Sequence, residues 1–417
     1  MIRLVASIAI NVWSCTLGVR AALAASEVGA DSLPRMVIAG AAPVTDTTGV
    51  PQRDVMDVLG RLLGRTPSAA SRSAEPRVGL SVVVLPSVGY DPSRGFYAGG
   101  SAAASGWFAD PLHTAPSRLA LTATRSASGQ TQVILRTDLW SARDAWNVRT
   151  DWRSVDVEQP TRGLGSIATQ PGRYPMQWHL LQFEQTLFRR LRPGLLAGVG
   201  LRAYLDRDIR DELASVGPTP FSDYSGPGVT HTQSVGASAH VLFEHRDTSI
   251  DPRRGFLWDA SLSAFSRSLG SDRNWQELRS DFRVYPRLND RGVLALWSLL
   301  WFTFGDTPYL DLPATGRDMW GRTARGYLQG QIRGRDWVYT EAEYRHVLTS
   351  DGLFGAVAFL NTTVTTAPGT GFGRVDPGAG VGLRIRFIKH TRTNLTIDRA
   401  WGRNGSGVWF LGTEERF

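Results

Sequence analysis

Apolar and polar side chains alternate along most of this chain beyond residue 80. From Leu195 to Asp206 the odd positions hold Leu, Ala, Val, Leu, Ala and Leu, whereas the even positions include Gly, Arg and Tyr. From Gln233 to Arg246, Val, Ala, Ala, Val and Phe alternate in the same way with Ser, His, Glu and Arg. Successive side chains of a β-strand point to opposite faces, so the pattern predicts strands with one apolar face and one polar face.

Segments with this alternation recur to the end of the chain, and turn residues separate them. Counting them predicts about sixteen strands joined by short connections. Besides the two segments above, the clearest are Leu80–Tyr90, Gly95–Phe108, Leu119–Arg125, Gln132–Ser141, Ala145–Val155, Phe256–Ser266, Trp275–Tyr285, Gly378–Ile388, Thr393–Trp401 and Gly407–Phe417.

The polar face carries charges of both signs, which favours a membrane barrel over a soluble β-sandwich. The stretch from Trp320 to Leu348 opens as a loop rich in Gly and Arg, and then places Glu341, Glu343 and Arg345 on one face of a strand. A sandwich needs large apolar residues on its inner faces, whereas here the apolar face is small and the charged face suits a wet lumen where charges can pair. We therefore predict an all-β, transmembrane antiparallel β-barrel. The tryptophans expected at its interfaces and rims are Trp140, Trp178, Trp258, Trp297, Trp301, Trp320, Trp337 and Trp409.

Composition agrees with this fold class and excludes a helical membrane protein. No apolar run long enough for a spanning helix, roughly 20 residues, follows the first twenty residues of the chain. Residues 1–24 combine Arg3, an apolar stretch and the small-x-small sequence Ala22-Leu23-Ala24, which predicts a signal peptide and export. The only cysteine, Cys15, lies in that segment, so disulfides and thiolate metal sites are not expected in the mature chain.

The region from 25 to 76 has a different composition from the rest. We predict a short periplasmic segment there, with one amphipathic helix from Arg53 to Leu63 whose apolar residues share a face at helical spacing. Such a helix would rest on the barrel rim, plug the barrel mouth or dock a partner. The barrel itself is predicted to occupy 77–417.

Charge and motifs yield few chemical candidates. The net charge is +8, but the arginines alternate with apolar residues along strands rather than clustering, so nucleic acid is not an expected partner. No Gly-x-Ser-x-Gly nucleophile motif is present, and the glycine cluster near residue 375 is not followed by the lysine of a phosphate loop. We therefore expect no enzyme activity, no cofactor and no metal site.

One motif is more specific for a protein family than those above. Ala324-Arg325-Gly326-Tyr327 resembles the Arg-Gly-aromatic tip of a long loop in the bacterial surface antigen superfamily of outer-membrane assembly factors, the BamA/TamA-like proteins. The resemblance covers Leu80 to Phe417. Further matching elements, in order, are Arg246-Asp247 with Pro252 and Gly255, Glu343-Tyr344-Arg345, Gly380-x-Gly382-x-Arg384, Leu395-x-Ile397-Asp398 and Phe417. Phe359-Leu360-Asn361 departs from the family, many members of which have Asp at the last position.

The resemblance implies a site. In that family the loop between the eleventh and twelfth strands folds into the lumen, and its arginine contacts acidic residues of the inner wall. Carried over, Arg325, Gly326 and Tyr327 form the loop tip, and Glu343 and Asp398 are the wall partners. Phe417 would be the C-terminal aromatic that marks an outer-membrane barrel. The segment 25–76 is too short for a periplasmic transport-associated domain, so we expect a barrel-only form.

Three functional hypotheses follow. The first is an outer-membrane barrel that assists insertion or passage of a client protein or lipid, through a weak seam between the first and last strands. Pro86 lacks a donor N–H, and it would loosen that seam together with Gly89, Gly407 and Gly412. The second is a passive or structural pore plugged by the Arg325 loop. An enzyme is the third and least favoured. Expected partners are outer-membrane lipid, a client outer-membrane or secreted protein, and a periplasmic protein.

Overall fold

The computed structural model describes residues 52–62, 78–91, 95–166, 172–318, 321–367, 369, 371–389, 392–413, 415 and 417. The predicted signal peptide, most of 25–76 and Trp320 therefore lie outside the described residues. The described part consists almost entirely of strands. No helix in it is long and apolar enough to span a membrane.

In the described residues, sixteen strands follow one helix, and a second short helix lies between two of the strands. The helices are α1 (Val55–Leu62) and α2 (Pro220–Ser225). The strands are β1 (Gly79–Asp91), β2 (Gly95–Trp107), β3 (Ser117–Ser126), β4 (Thr131–Trp140), β5 (Trp146–Thr161), β6 (Tyr174–Arg192), β7 (Leu195–Asp211), β8 (Thr232–Glu244), β9 (Phe256–Phe265), β10 (Trp275–Val284), β11 (Gly292–Gly305), β12 (Asp336–Val347), β13 (Phe354–Thr365), β14 (Asp376–Ile388), β15 (Thr393–Gly402) and β16 (Gly407–Thr413).

The strands form one antiparallel sheet in sequence order, each hydrogen-bonded to the next. This confirms the predicted fold class and strand number. The sheet curves round until residues of β1 and β16 approach within 8 Å, Cα to Cα. Connections alternate between two ends of the barrel. We call the end where β1 begins the proximal end and the opposite end the distal end.

The alternation of side chains along each strand determines which residues are buried. In β8, Ser234, Ser238 and His240 are buried, whereas Val241 is exposed. The outer surface is therefore apolar and the interior polar, the reverse of a soluble protein. Outward-facing apolar residues of this kind include Val82, Val84, Val199, Leu201, Leu262, Leu278, Phe282, Leu360, Val381, Trp409 and Leu411.

The expectation that the tryptophans lie at the membrane interfaces and rims is wrong for Trp297 and Trp301. Trp297 and Trp301 are buried inside the barrel, where their indole N–H groups donate to Asp281 Oδ1 at 2.9 Å and Glu277 Oε2 at 2.7 Å. A buried indole needs an acceptor, and the lumen wall supplies carboxylates. Trp140, Trp178 and Trp337 are also buried, and only Trp258 and Trp409 of the described set are exposed on the outer surface.

Helix α1 begins two residues later than the predicted Arg53–Leu63, and Leu63 lies outside the described residues. The Asp54 carboxylate caps it by accepting from the Asp57 N–H at 2.9 Å. The helix lies on the proximal end, where Asp57 pairs with Lys389 at 2.7 Å and the Arg53 N–H donates to the Asp351 carbonyl at 2.9 Å. These contacts place α1 on the rim, at the turns that follow β12 and β14.

Candidate functional site

The connection between β11 and β12, residues 306–335, folds into the barrel, and we call it the lumen loop. Most of its residues are buried, although loops normally lie on the surface. Its two arms hydrogen-bond to each other: the Thr315 N–H donates to the Ile332 carbonyl and the Gly330 N–H to the Thr315 carbonyl, both at 2.9 Å. Asp318 accepts from the Thr323 N–H at 2.8 Å, which closes the turn before the tip. The loop therefore has a defined internal structure.

The backbone at the tip projects Arg325 toward the wall. Ala324 and Gly326, its two neighbours, have φ angles of 56° and 113°. A φ of 113° favours glycine, and a Cβ at Gly326 would lie 2.7 Å from the Trp401 carbonyl oxygen. The Gly326 carbonyl accepts from the Ser406 hydroxyl at 2.5 Å. Glycine is thus required here because the tip approaches the β15–β16 connection closely.

Arg325 lies among three wall carboxylates, and its side chain is 1% exposed. Its guanidinium donates to Glu341, to Glu343 Oε2 at 2.5 Å and to Asp398 Oδ2 at 3.2 Å. We call these four residues the arginine lock. Alternation along β12 points Glu341 and Glu343 inward together, and β15 brings in Asp398.

The structure thus brings Arg325 together with both predicted partners and adds Glu341. That residue also accepts a hydrogen bond from the Tyr339 hydroxyl. The alternation placed Glu341 on the same face as Glu343, so the sequence carried the signal that would have identified it.

Other contacts fix the tip. The guanidinium carbon of Arg325 lies 3.4 Å from the centre of the Phe359 ring, a cation–π contact. The Asn361 amide donates to the Arg325 carbonyl at 3.0 Å. An ionised Asp has no hydrogen-bond donor and could not make this bond, which gives a physical reason for Asn rather than Asp at position 361. Tyr327 donates its hydroxyl to the Pro377 carbonyl at 2.5 Å and accepts from the Arg403 N–H at 2.9 Å.

Two further arginines share the lock's carboxylates. Arg345 donates to Glu343 Oε1 at 2.7 Å, and Arg384 donates to Asp398 Oδ1 at 2.5 Å. Glu343 and Asp398 therefore each have a second cation, whereas among the described residues Glu341 pairs only with Arg325. Buried charges are tolerated when each is paired and hydrogen-bonded, and this network meets that condition.

The last described residues also lie inside the barrel. The predicted strand Gly407–Phe417 ends at Thr413 instead, and Glu415 and Phe417 are each 2% exposed. Continued in β16, both would share the outward face of Trp409 and Leu411, where a carboxylate in lipid would be costly. Phe417 therefore lies in the lumen of the folded barrel. Its expected role as the C-terminal signal of an outer-membrane barrel stays a prediction.

Groups of three or more His, Cys, Asp or Glu side chains that could hold a metal ion are not found among the described residues. The acidic groups of the lock face arginines instead. The arrangement can hold a loop against a wall, and it can release that loop if the charges find other partners.

The seam between β1 and β16 is the second candidate feature. β1 pairs with β2 over thirteen residue pairs and β15 pairs with β16 over seven, but the described residues of β1 and β16 form no ladder with each other. The outward side chains beside the seam are strongly exposed: Val84 is 71% exposed and Trp409 is 52% exposed.

Comparison with known proteins identifies the fold. The sequence matches no protein-family model and no curated protein. The structure is similar to BamA from Haemophilus ducreyi lacking POTRA domains 1-3, with a TM-score of 0.54 and 16% identity over 81% of this chain and 69% of that one. It is also similar to CdiB from Escherichia coli, with a TM-score of 0.52 and 11% identity over 82% of this chain and 63%, less than two thirds, of CdiB. The chain therefore has a BamA-like β-barrel fold.

Proposed function

We propose that this protein assists the insertion or passage of a client protein or lipid at the bacterial outer membrane, by opening the seam between β1 and β16. The observation that carries the proposal is that the described residues of β1 and β16 form no ladder with each other. Every other neighbouring pair of strands is hydrogen-bonded. An unpaired strand edge is a template for another strand, and a barrel normally removes such edges.

The energetics favour opening at this place. A ladder hydrogen bond contributes about 0.5–1.5 kcal/mol net, so separating β1 from β2 would cost several such bonds. Between the described residues of β1 and β16 no ladder has to be broken. Pro86 in β1 lacks a donor N–H, and the seven-residue β16 leaves part of the thirteen-residue edge of β1 without an opposing strand.

The apolar outer surface supports a location in a membrane. The signal peptide expected from the sequence would export the chain, which is compatible with the outer membrane as that location. In this orientation the proximal end, with α1 and the ion pair between Asp57 and Lys389, faces the periplasm. That end would receive a periplasmic partner or a client. The arginine lock holds the lumen loop against β12 and β15, close to one side of the seam.

The test is photo-crosslinking in living cells. A photo-activatable residue replaces Val82 or Val84 on β1 and Trp409 or Leu411 on β16, all outward-facing and exposed. Val199 and Leu201 provide the matched control, because they are 66% and 56% exposed on β7, which is paired on both sides.

We expect adducts with nascent barrel or secreted proteins, or with lipid, at the seam and not at the control positions. Client adducts that are equally frequent on β7 and at the seam would contradict lateral opening. Crosslinks that only join β1 to β16, together with steady conductance in planar bilayers, would favour the passive pore plugged by the Arg325 loop.

A further inference from the structure

A serine, a histidine and an aspartate lie together on β5 and β6, toward the distal end of the barrel. Ser154 and Asp156 are two positions apart on β5, and His179 of β6 lies opposite Asp156 in the antiparallel register. Residues two apart on a strand share a face, and directly opposite residues have Cβ atoms about 5 Å apart. The two strands therefore bring the three side chains together, although Ser154 and His179 are 25 positions apart in the sequence.

These three side chains form a chain of hydrogen bonds. His179 Nδ1 lies 2.8 Å from Asp156 Oδ1, and His179 Nε2 lies 3.3 Å from Ser154 Oγ. An ionised carboxylate can only accept, so the imidazole donates from Nδ1 and its Nε2 accepts from the serine hydroxyl. The Thr131 N–H of β4 donates to Asp156 Oδ2 at 2.9 Å and fixes the carboxylate. Hydroxyl, base and orienting carboxylate stand in the order that activates a serine nucleophile.

The set faces outward and can be reached from outside the barrel. Asp151 and Arg153, at the alternate positions of β5, point into the lumen, where their side chains are 0% and 11% exposed. Ser154 and Asp156 therefore lie on the opposite, outer face of the strand. The side chains of His179 and Asp156 are 33% and 43% exposed. A substrate would not have to enter the lumen to meet them.

The outer face changes from apolar to polar at the level of this set. Beside Ser154 lies Leu181 of β6, and one step toward the proximal end the rings of Trp152 and Phe183 stack with their centres 5.0 Å apart. One step toward the distal end, Glu158 lies opposite Gln177 on the same face. An apolar band that gives way to polar residues marks the edge of the hydrocarbon layer, and the ester groups of lipids lie at that edge.

A cation lies next to the histidine. Arg207 of β7 is opposite His179 in the register, and among the described residues its guanidinium has no hydrogen bond or ion pair. The register shifts beside it, between Gln177 and His179, and Asp208 has a φ of 52°. Such bulges are common next to active sites because they redirect side chains. A guanidinium at this place can stabilise the negative charge that develops on the carbonyl oxygen of an ester under attack.

We propose that Ser154, His179 and Asp156 form a hydrolytic site that cleaves an acyl ester of a lipid lying against the outer face of the barrel. Ser154 Oγ attacks the ester carbonyl carbon, and its proton passes to His179 Nε2. The tetrahedral adduct then breaks its bond to the alcohol oxygen, which takes that proton and leaves an acyl-serine. Water attacks the acyl-serine and gives a proton to His179, the fatty acid is released, and Ser154 recovers its proton. Asp156 is a positioning residue, because it holds the imidazole in the tautomer that this sequence of steps needs.

The site is independent of the seam between β1 and β16. The sequence argument against an enzyme relied on motifs of neighbouring residues, and a set divided between two paired strands contains no such motif. The inference needs only the position of the barrel in a membrane. Client adducts at the seam and lipid hydrolysis are separate measurements, so the proposed function and the hydrolytic site can fail separately.

The first test is covalent labelling of the full-length barrel in detergent with a fluorophosphonate probe, which reacts with activated serines. We expect mass spectrometry to find the label on Ser154, and His179→Gln to slow labelling by about a hundredfold. Ser280→Ala is the matched control, because Ser280 is an outward-facing serine of β10 whose hydroxyl accepts from Trp258 and faces no histidine. It should label like the wild type. A wild-type barrel without label on Ser154, or equal labelling of His179→Gln, would overturn the proposal.

The second test measures the release of fatty acid by barrels in phosphatidylglycerol vesicles and, separately, in vesicles that contain lipopolysaccharide, which distinguishes two sources of the ester. Ser154→Ala and Asp156→Asn should each lower kcat by about a hundredfold or more with KM unchanged, since neither change removes lipid contacts. A rise in KM alone for Asp156→Asn would mean that the aspartate only shapes the surface, against its assigned role. Release from neither lipid, or full activity of Ser154→Ala, would sink the idea.

Discussion

Replacement of Arg325 by methionine should destabilise the barrel, and the structure shows where the cost falls. The change removes one cation from a buried group of three carboxylates. Glu343 keeps Arg345 at 2.7 Å and Asp398 keeps Arg384 at 2.5 Å. Glu341 is left with the Tyr339 hydroxyl. The uncompensated charge is therefore mainly that of Glu341.

The magnitude follows from this assignment. Breaking a buried ion pair by removing one partner costs about 3–5 kcal/mol, because the remaining charge is buried alone. Arg325→Met should therefore lower the free energy of unfolding by about that amount. Adding Glu341→Gln neutralises the orphaned charge, so Arg325→Met/Glu341→Gln should recover most of the loss. Adding Glu343→Gln instead should not, since it leaves the charge of Glu341 unpaired and removes the partner that lies 2.7 Å from Arg345.

The assay is urea unfolding of the refolded barrel in lipid vesicles, followed by tryptophan fluorescence and analysed as a double-mutant cycle. Arg287→Met is the control, because its partner Asp290 is 69% exposed and exposed pairs contribute about 0–1 kcal/mol. A loss below about 1 kcal/mol for Arg325→Met would refute the reasoning. Equal rescue by Glu341→Gln and Glu343→Gln would refute the assignment to Glu341.

Three further predictions test other parts of the structure. Gly326→Ala should lower the urea concentration at the unfolding midpoint more than Gly405→Ala does. Both glycines have a positive φ, but of the two only Gly326 also lies against a neighbouring carbonyl. Urea titration of both variants measures the difference. Ala102→Arg should destabilise the barrel in lipid by about 2–4 kcal/mol, because Ala102 lies on the outer face of β2. Ala103→Arg should cost much less, because Ala103 lies on the inner face of the same strand. Equal losses of stability would contradict this orientation. Lys389→Met should speed hydrogen exchange in α1 by removing its ion pair with the helix, whereas unchanged exchange would mean that the pair does not hold the helix.

Local periodicity predicted most of what the structure contains. Alternation depends only on the geometry of a strand, so the number of strands and their inner and outer faces could be predicted from the sequence. The same rule places Glu341 beside Glu343 and puts Trp337 on the charged face. Assigning Trp337 to an interface girdle relied on tryptophan's general preference and ignored its position in the pattern.

Contacts between positions far apart in the sequence could not be predicted from the alternation of side chains along a strand. The contacts of Glu415 depend on Arg384, which lies on β14 about thirty residues earlier, and on an inner wall that exists only once the strands have assembled. The strand pattern contains one sign that the chain turns inward after Thr413, because Glu415 falls on the outward face of the alternation, but the pattern does not show where the chain goes instead. The positions of Glu343 and Asp398 near Arg325 likewise came from a family resemblance, because no spacing rule relates a loop tip to strands on either side.

The two sides of the seam are held differently, and this decides which side can move. On the β16 side, Glu415 is bound by Arg384 and the lumen loop is bound by the arginine lock, so that wall is fixed by buried charge pairs. On the β1 side the inner contacts are a row of hydroxyls: Ser87 bonds to Ser101 at 2.6 Å, and Ser101 bonds to Thr122 at 3.1 Å. Neutral hydroxyl pairs are weaker than charge-assisted bonds and are readily replaced by water. Opening of the seam should therefore begin with β1 moving away from a β16 that these ion pairs hold in place.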